Sequence, residues 1–296
     1  MTDETMSDIK ICNSFCAWID LLGYGKPFYG NNWDLTGPVV EQNLRRIQKL
    51  DMISLSVIEP FFEKQFTLND GFIINLDYDN ILNPWLIINW FESLISKFYL
   101  LDKTDIESGF YGARGVLAYG QRAQYRASDA VGLDEYFRTS EERKTKFHDN
   151  KIVYSPKELQ MNTAFSKSSL IENAGGSNVA KNELNITEEF IVEFVKAINK
   201  IGKDDIPGVT VIDENGNITS KDEPETIEYF ASFADDRITI KTSLNGADYK
   251  DDKIIELKEF SFFVDERHAI HQKLYIPVSI SYMDGDKMIT ELCHTK

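Results

Sequence analysis

The chain is short of cysteine, histidine and positive charge, and each shortage argues against a class of protein. Its three cysteines, Cys12, Cys16 and Cys293, leave one unmatched and follow no disulfide spacing, so a reduced cytoplasmic compartment is the simplest expectation. The four histidines lie mostly near the C-terminal end, away from any nucleophile, and no Ser-His-Asp or Cys-His constellation can be drawn. With 32 Lys and Arg against 48 Asp and Glu, the net charge of −16 repels a phosphate backbone at long range, so no nucleic acid is expected as partner. No positively charged start leads into an apolar run over Met1–Lys10, and no unbroken apolar run of about twenty residues follows, so no membrane partner is expected. The stretch Pro84–Leu101 comes nearest. Asn89, Glu92, Ser93 and Lys97 interrupt it at helical spacing, which predicts an amphipathic helix behind a sheet.

What is present is globular: 42% hydrophobic and 12% aromatic residues, in a chain of 296 that can bury a full core. Two aspartates stand out. Asp20 sits among Trp18, Ile19, Leu21 and Leu22, where an unpartnered carboxylate is costly and a cation or strong donors are expected beside it. Asp70 lies in Asn69-Asp70-Gly71, a tight-turn signature between two apolar runs. Taken singly, Asp20 also reads as a strand-terminal cap and Asp70 as a turn residue; taken together they suggest a shared two-metal site. Gly23-Tyr24-Gly25-Lys26 fails the spacing of a phosphate-binding P-loop, although its glycines permit phosphates to approach a strand end. His268 and His271, with Asp265 and Glu266, read as an exposed charged turn more readily than as a metal site.

The coarse pattern is a strand over Ser14–Leu22, a helix opened by Thr36 and Pro38, a second helical piece over Met52–Phe62, the Asn69-Asp70-Gly71 hairpin, the helix from Pro84 and a strand over Arg114–Arg126. Val131–Asn150 reads as a charged loop or exposed helix, Lys151–Tyr154 as a strand and Pro156–Glu172 as a helix. After Gly175-Gly176 the sequence turns acidic, with a helix over Ile186–Ile201, a loop over Asp213–Glu225 and a strand over Arg237–Thr242. It ends in strands over Phe260–Val264, Lys273–Tyr282 and Met288–Leu292, expected to complete the same sheet.

Read together, Asp20-Leu-Leu-Gly23-Tyr24-Gly25, Asn69-Asp70-Gly71 and Ala113-Arg-Gly-Val-Leu-Ala-Tyr-Gly120 resemble a class III nucleotide cyclase. The resemblance spans roughly residues 10 to 125. It implies an α+β fold with a ferredoxin-like palm: a central, mostly antiparallel sheet with helices packed on it, here with a C-terminal β elaboration. Residues 8–296 would form a single catalytic domain, with a core over 10–175 and an acidic insertion and C-terminal strands over 176–296. It implies two Mg²⁺ or Mn²⁺ ions on Asp20, Asp70 and the Leu21 carbonyl, a nucleoside triphosphate at Leu22, Gly23, Tyr24 and Gly25, and a homodimer with composite active sites.

Met161–Glu172 resembles the family helix that carries a transition-state Asn and Arg. One register sets Asn162 on the Asn and Ser166 on the Arg; the other sets Ser166 on the Asn. Neither supplies the arginine, which leaves Lys167 or Arg114 to stabilise phosphate charge. Where purine cyclases carry a base-reading lysine, four residues before the second metal position, this chain has Phe66, with Thr67 beside it. That departure moves the resemblance toward the bacterial Pycsar cyclases, which make cyclic UMP or cyclic CMP during antiphage defence. A purine cyclase, a degenerate nucleotide-binding pseudo-cyclase and a palm-type polymerase or cyclic-dinucleotide synthase are the alternatives; the Gly-Gly-Asp pattern of the last is missing at Asp70.

Overall fold

The computed structural model describes residues 10–35, 37–54, 63–80, 84–124, 158–201, 210–212, 218–220, 226–245, 250–284 and 287–293. It begins with β1 (Lys10–Leu21), α1 (Lys26–Gly30) and α2 (Pro38–Ser54), then β2 (Lys64–Leu68), β3 (Gly71–Asp77), α3 (Pro84–Glu107) and β4 (Ala113–Gln124). After these come α4 (Thr163–Ala174), β5 (Leu184–Thr187), α5 (Glu188–Ile201), β6 (Thr210–Ile212) and β7 (Ile218–Ser220). The chain closes with β8 (Thr226–Ala234), β9 (Arg237–Asn245), β10 (Lys250–Asp265), β11 (Ile270–Asp284) and β12 (Lys287–Leu292).

The first four of these strands are ordered β2-β3-β1-β4, antiparallel throughout, with α2 and α3 in the connections: the expected ferredoxin-like palm. β5 joins parallel to β4, and β11-β10-β9-β8 continue the sheet to ten strands, with β12 on β11. The fold is therefore α+β around a mostly antiparallel sheet, and the C-terminal strands extend it as expected.

Alternation along β1 explains the layers. Phe15, Ala17, Ile19 and Leu21 face a core shared with α2, α3 and α5, where Phe190 meets Phe15 edge-on, stacks on Phe194 and joins Phe91 in an aromatic cluster. Cys16 and Trp18 face the other way, toward α4, with Ile73, Phe66, Ala164 and Phe165. Gly120 on β4 lies where any Cβ would strike the start of α4, so this glycine sets how closely the helix seats on the sheet. The expected helix from Pro84 forms, and Asn89, Glu92 and Lys97 are partnered rather than solvated, while the Ser93 hydroxyl is buried without a hydrogen bond. Lys97 is buried on Glu63, and Lys253 of β10 donates to Asn89 and Glu92.

Several sequence boundaries shift. The helix expected over Pro156–Glu172 opens at Thr163, because Asn162 takes an extended backbone and its side chain accepts the Phe165 N–H, ending the turn region as an N-cap. Leu184–Thr187 is a strand rather than the approach to a helix, since its four residues are buried between β4 and β11. Within the expected 213–225 loop, Ile218–Ser220 pairs with Thr210–Ile212 as a small hairpin. The expected elements over Val131–Asn150 and Lys151–Tyr154, and most of the piece over Met52–Phe62, fall outside the described residues; Met52–Ser54 complete α2. Among the described residues no helix is long and apolar enough to cross a membrane.

Candidate active site

The strand pairing puts the two aspartates side by side. Asp20, the penultimate residue of β1, pairs with Gly71 of β3, so Asp70 at the β2–β3 turn abuts the end of β1, and its carbonyl accepts the Leu21 N–H at 3.0 Å. Asn69 supplies the turn with a positive φ of 55°, a conformation Asn tolerates, and its amide donates to the Asp70 carboxylate at 2.7 Å. Gly71 is required by close approach: a Cβ there would lie 2.6 Å from the Ile19 carbonyl oxygen and 3.3 Å from Asp20 Oδ1.

Burial pushes the Asp20 carboxyl up to about 7, the Asp70 and Glu172 charges adding to the rise while Arg114 and the Leu21 backbone N–H oppose it. Asp70 is likewise raised, first by burial; hydrogen bonds from its own backbone and from Asn69, with the Arg46 charge, counter part of the effect. Two neighbouring carboxylates both held above their ordinary range form an electrostatically unsatisfied oxygen pair. That donor set suits a hard divalent cation such as Mg²⁺ or Mn²⁺. Among the described residues no group of three or more His, Cys, Asp or Glu side chains gathers as a metal cluster, so the His268/His271 turn is not one. There His268 pairs with Asp265 and His271 with Glu266.

The turn after β1 is latched from below. Arg46 of α2 is buried and grips Asp105 through two 2.8 Å hydrogen bonds, then donates to the Leu22 carbonyl at 3.0 Å. Leu22 N–H donates to the Gly112 carbonyl at 2.9 Å, and Gly112 N–H to Asp105 at 3.0 Å. Gly23 has φ +66° with the Tyr111 ring 2.7 Å from where its Cβ would be, Asn43 holds the Tyr24 carbonyl, and Gly25 opens α1. Sequence reading passed over Arg46. Its signal was an arginine in step with Asn43, Leu50 and Ile53 on the buried stripe of α2.

The remaining expected residues spread along the α4 side of the sheet. Arg114 pairs across β1 with Asp20, but its guanidinium is bound to Glu172, at 2.5 and 3.0 Å to the carboxylate and 2.9 Å to the carbonyl. Glu172, not singled out from the sequence, thus brings both a neutralised arginine and an additional negative field to the site. Asn162 lies at the far end of β4, bridged to Arg122. Its amide donates to Asn75 at 2.6 Å and to the Glu158 carbonyl at 2.8 Å, while its oxygen caps α4. Asn162 was expected to meet substrate; in the structure both its polar atoms are committed to the fold. Ser166, one turn on, is exposed and donates to the Asn162 carbonyl at 3.0 Å. Lys167 is paired with Glu189 at 2.5 Å and donates to the Tyr119 carbonyl. Phe66 packs against the cluster around Trp18, Ile73 and Ala164, and Thr67 donates to Asp51 at 3.2 Å.

We expect Asn162→Ala to lose about 1–3 kcal/mol of stability, from the lost cap and the lost hydrogen bond to the Asn75 oxygen, which keeps the Ser14 hydroxyl. Denaturant melts beside rate measurements check this; a variant with unchanged stability and abolished turnover would restore Asn162 to the chemistry.

No known family's sequence profile matches the chain, and no curated protein matches it in sequence. In three dimensions it is similar to the catalytic core of a rhodopsin-guanylyl cyclase with converted specificity, solved in complex with ATPαS. The two share 7% identity and a TM-score of 0.37, over 92% of this chain and 98% of that one. At that level the likeness carries no weight for activity.

Proposed function

We propose that this protein is a nucleotide cyclase that converts a nucleoside triphosphate to its 3′,5′-cyclic monophosphate and pyrophosphate, with a pyrimidine, UTP or CTP, as preferred substrate. The observation that carries this reading is the register that sets Asp20 against Gly71 and the Asp70 turn at the end of the palm's central strand. Asp20, Asp70 and the Leu21 carbonyl would hold Mg²⁺ or Mn²⁺, which when bound supplies a more acidic ribose 3′-hydroxyl and compensates charge on departing pyrophosphate. The chain's own part is to hold the two carboxylates adjacent, in a site where a bound cation would favour their ionised form, and to fix the following turn through Arg46 so that backbone groups of Leu22–Gly25 meet the phosphates. Lys26, at the end of that turn, lies over the Tyr111 ring and has no carboxylate partner among the described residues. Donating to the Tyr111 hydroxyl at 3.2 Å, it is a cation near the turn without a carboxylate beside it among the described residues, whereas Arg114 and Lys167 are neutralised by Glu172 and Glu189.

The commitment of Asn162 as a cap supports the second register, with Ser166 as the α4 residue that serves substrate. We read the active enzyme as a homodimer in which Ser166 of one copy serves the Asp20 site of the other, within one domain over 8–296 acting in the cytoplasm, as in an antiphage signalling enzyme. Phe66 offers the base an apolar surface beside Trp18 and no charged donor, which favours the smaller ring.

Incubation with each of the four triphosphates and Mn²⁺, followed by mass spectrometry, tests this reading. The expected result is cyclic UMP or cyclic CMP at least tenfold above cyclic AMP and cyclic GMP, with no gain in pyrimidine turnover from Phe66→Lys. ATP or GTP as best substrate would return the chain to the purine cyclases. The neutralised Arg114 and Lys167 favour one second reading, a pseudo-cyclase, for which tight nucleotide binding without any turnover is the signature.

A further inference from the structure

The chain enters β4 through Phe110-Tyr111-Gly112, and this segment is laced to the turn that follows β1 by three successive contacts. The Gly112 carbonyl accepts the Leu22 N–H at 2.9 Å, the Tyr111 ring lies against Gly23, and the Tyr111 hydroxyl accepts from Lys26 Nζ at 3.2 Å. The middle contact is tight. A Cβ at Gly23 would lie 2.7 Å from Tyr111 Cδ2 and 3.0 Å from Cε2, so any side chain there would push the ring away. The Lys26 N–H closes the same turn by donating to the Gly23 carbonyl at 3.1 Å.

The backbone of Tyr111 is anchored although its side chain is not buried. Its carbonyl accepts the Asn182 amide at 2.7 Å, and on either side the Phe110 N–H donates to the Asp105 carbonyl at 3.1 Å and the Gly112 N–H to the Asp105 carboxylate at 3.0 Å. Tyr111 is nevertheless 53% exposed, which leaves its ring little part in the core. The ring serves Lys26 instead, whose Nζ lies 4.3 Å from the ring centroid. A lysine on a surface turn ordinarily samples many rotamers, and ordering it as a ligand arrives subtracts from affinity. Lys26 already rests on a ring and a hydroxyl whose backbone is fixed, so it loses less.

We propose that Tyr111 is a positioning residue for an anion subsite, holding the Lys26 ammonium beside the Gly23–Lys26 turn so that the two together take a polyphosphate chain. That the chain belongs to a nucleoside triphosphate rests on the cyclase reading; capture of polyphosphate does not.

Calorimetric titration of the full chain with inorganic tripolyphosphate and Mg²⁺ tests the subsite without any turnover. The native protein is expected to bind saturably. Lys26→Met is expected to weaken binding about tenfold, Lys26→Arg to recover most of that loss, and Tyr111→Ala to weaken it about fivefold. Tyr111→Phe keeps the ring under the ammonium and should fall between native and Tyr111→Ala. The double variant separates positioning from packing. Once Lys26→Met is present, adding Tyr111→Ala should cost less than about twofold more, because its effect passes through the lysine. No saturable binding by the native protein, an unchanged affinity in folded Tyr111→Ala, or a full further loss in the double variant would overturn the proposal; melting curves establish that each variant is folded. Cyclic-nucleotide output is measured separately. Coupled binding effects without any cyclic product leave the subsite standing and remove the cyclase, whereas product formed with native KM in both single variants removes the subsite and leaves the cyclase.

Discussion

Asp20→Asn and Asp70→Asn should each lower cyclic-nucleotide production by at least about 10³-fold, some 4 kcal/mol of lost transition-state stabilisation, while making the metal-free protein more stable at pH 8. The two effects share one cause. A carboxyl whose pKa is higher in the folded than in the unfolded chain favours folding while protonated. Asp20 moves from 3.8 to about 7, so its contribution is complete below pH 3.8 and is lost as the pH rises through about 7. At pH 8 both acids are ionised in a half-buried site, at a cost on the order of 2–3 kcal/mol for Asp20, which the neutral asparagine avoids. Mn²⁺ or Mg²⁺ should reverse the order, raising the melting temperature of the native protein and not that of the variants, with weaker metal binding below pH 7 as protons compete for Asp20. Melting curves at pH 5 and pH 8, with and without metal, give the comparison. A variant with native turnover, or a native protein whose stability ignores metal, would take the pair out of the chemistry.

Arg46→Ala should be the most destabilising substitution of those considered, at about 3–5 kcal/mol, because it leaves the Asp105 carboxylate buried without its cation, with the Gly112 N–H as its remaining donor. Exposed pairs such as Arg45–Glu41 should matter far less, by under about 1 kcal/mol. The pair also has a positioning role that stability alone does not report. Arg46→Met combined with Asp105→Leu replaces the buried ions by apolar volume and should recover most of the stability. It cannot restore the hydrogen bond to the Leu22 carbonyl, so turnover should stay at least tenfold low, with KM for the metal–nucleotide raised more than kcat falls. Full recovery of both by the double variant would reduce Arg46 to a packing role.

The palm was legible because its signals are local. Alternation in β1, the Asn-Asp-Gly turn, Pro at the head of α2 and α3, and the interrupted apolar stretch after Pro84 each follow from a few adjacent residues, and each element formed within a few positions of expectation. Asp20 and Asp70 were legible for the same reason, since a carboxylate in an apolar strand and a tight-turn triplet are both visible without knowing what lies across the sheet. The start of α4 was misplaced because a proline and a cap compete as helix openers, and only the pairing of Asn162 with Asn75, 87 positions away, made it the cap.

The sequence by itself determined the strand and helix order of the palm, the absence of any cystine scaffold and the two acids at the strand end. The tertiary structure decided which charges are free. Arg114 and Lys167 look equally available in the chain, yet Glu172 and Glu189 neutralise them, while Lys26 rests on an aromatic ring. Arg46 became the latch of the β1 turn only when α2 packed it against Asp105 on α3, 59 positions away. Pairing between distant carboxylates and cations depends on which faces the sheet brings together, and local periodicity carries no record of that choice.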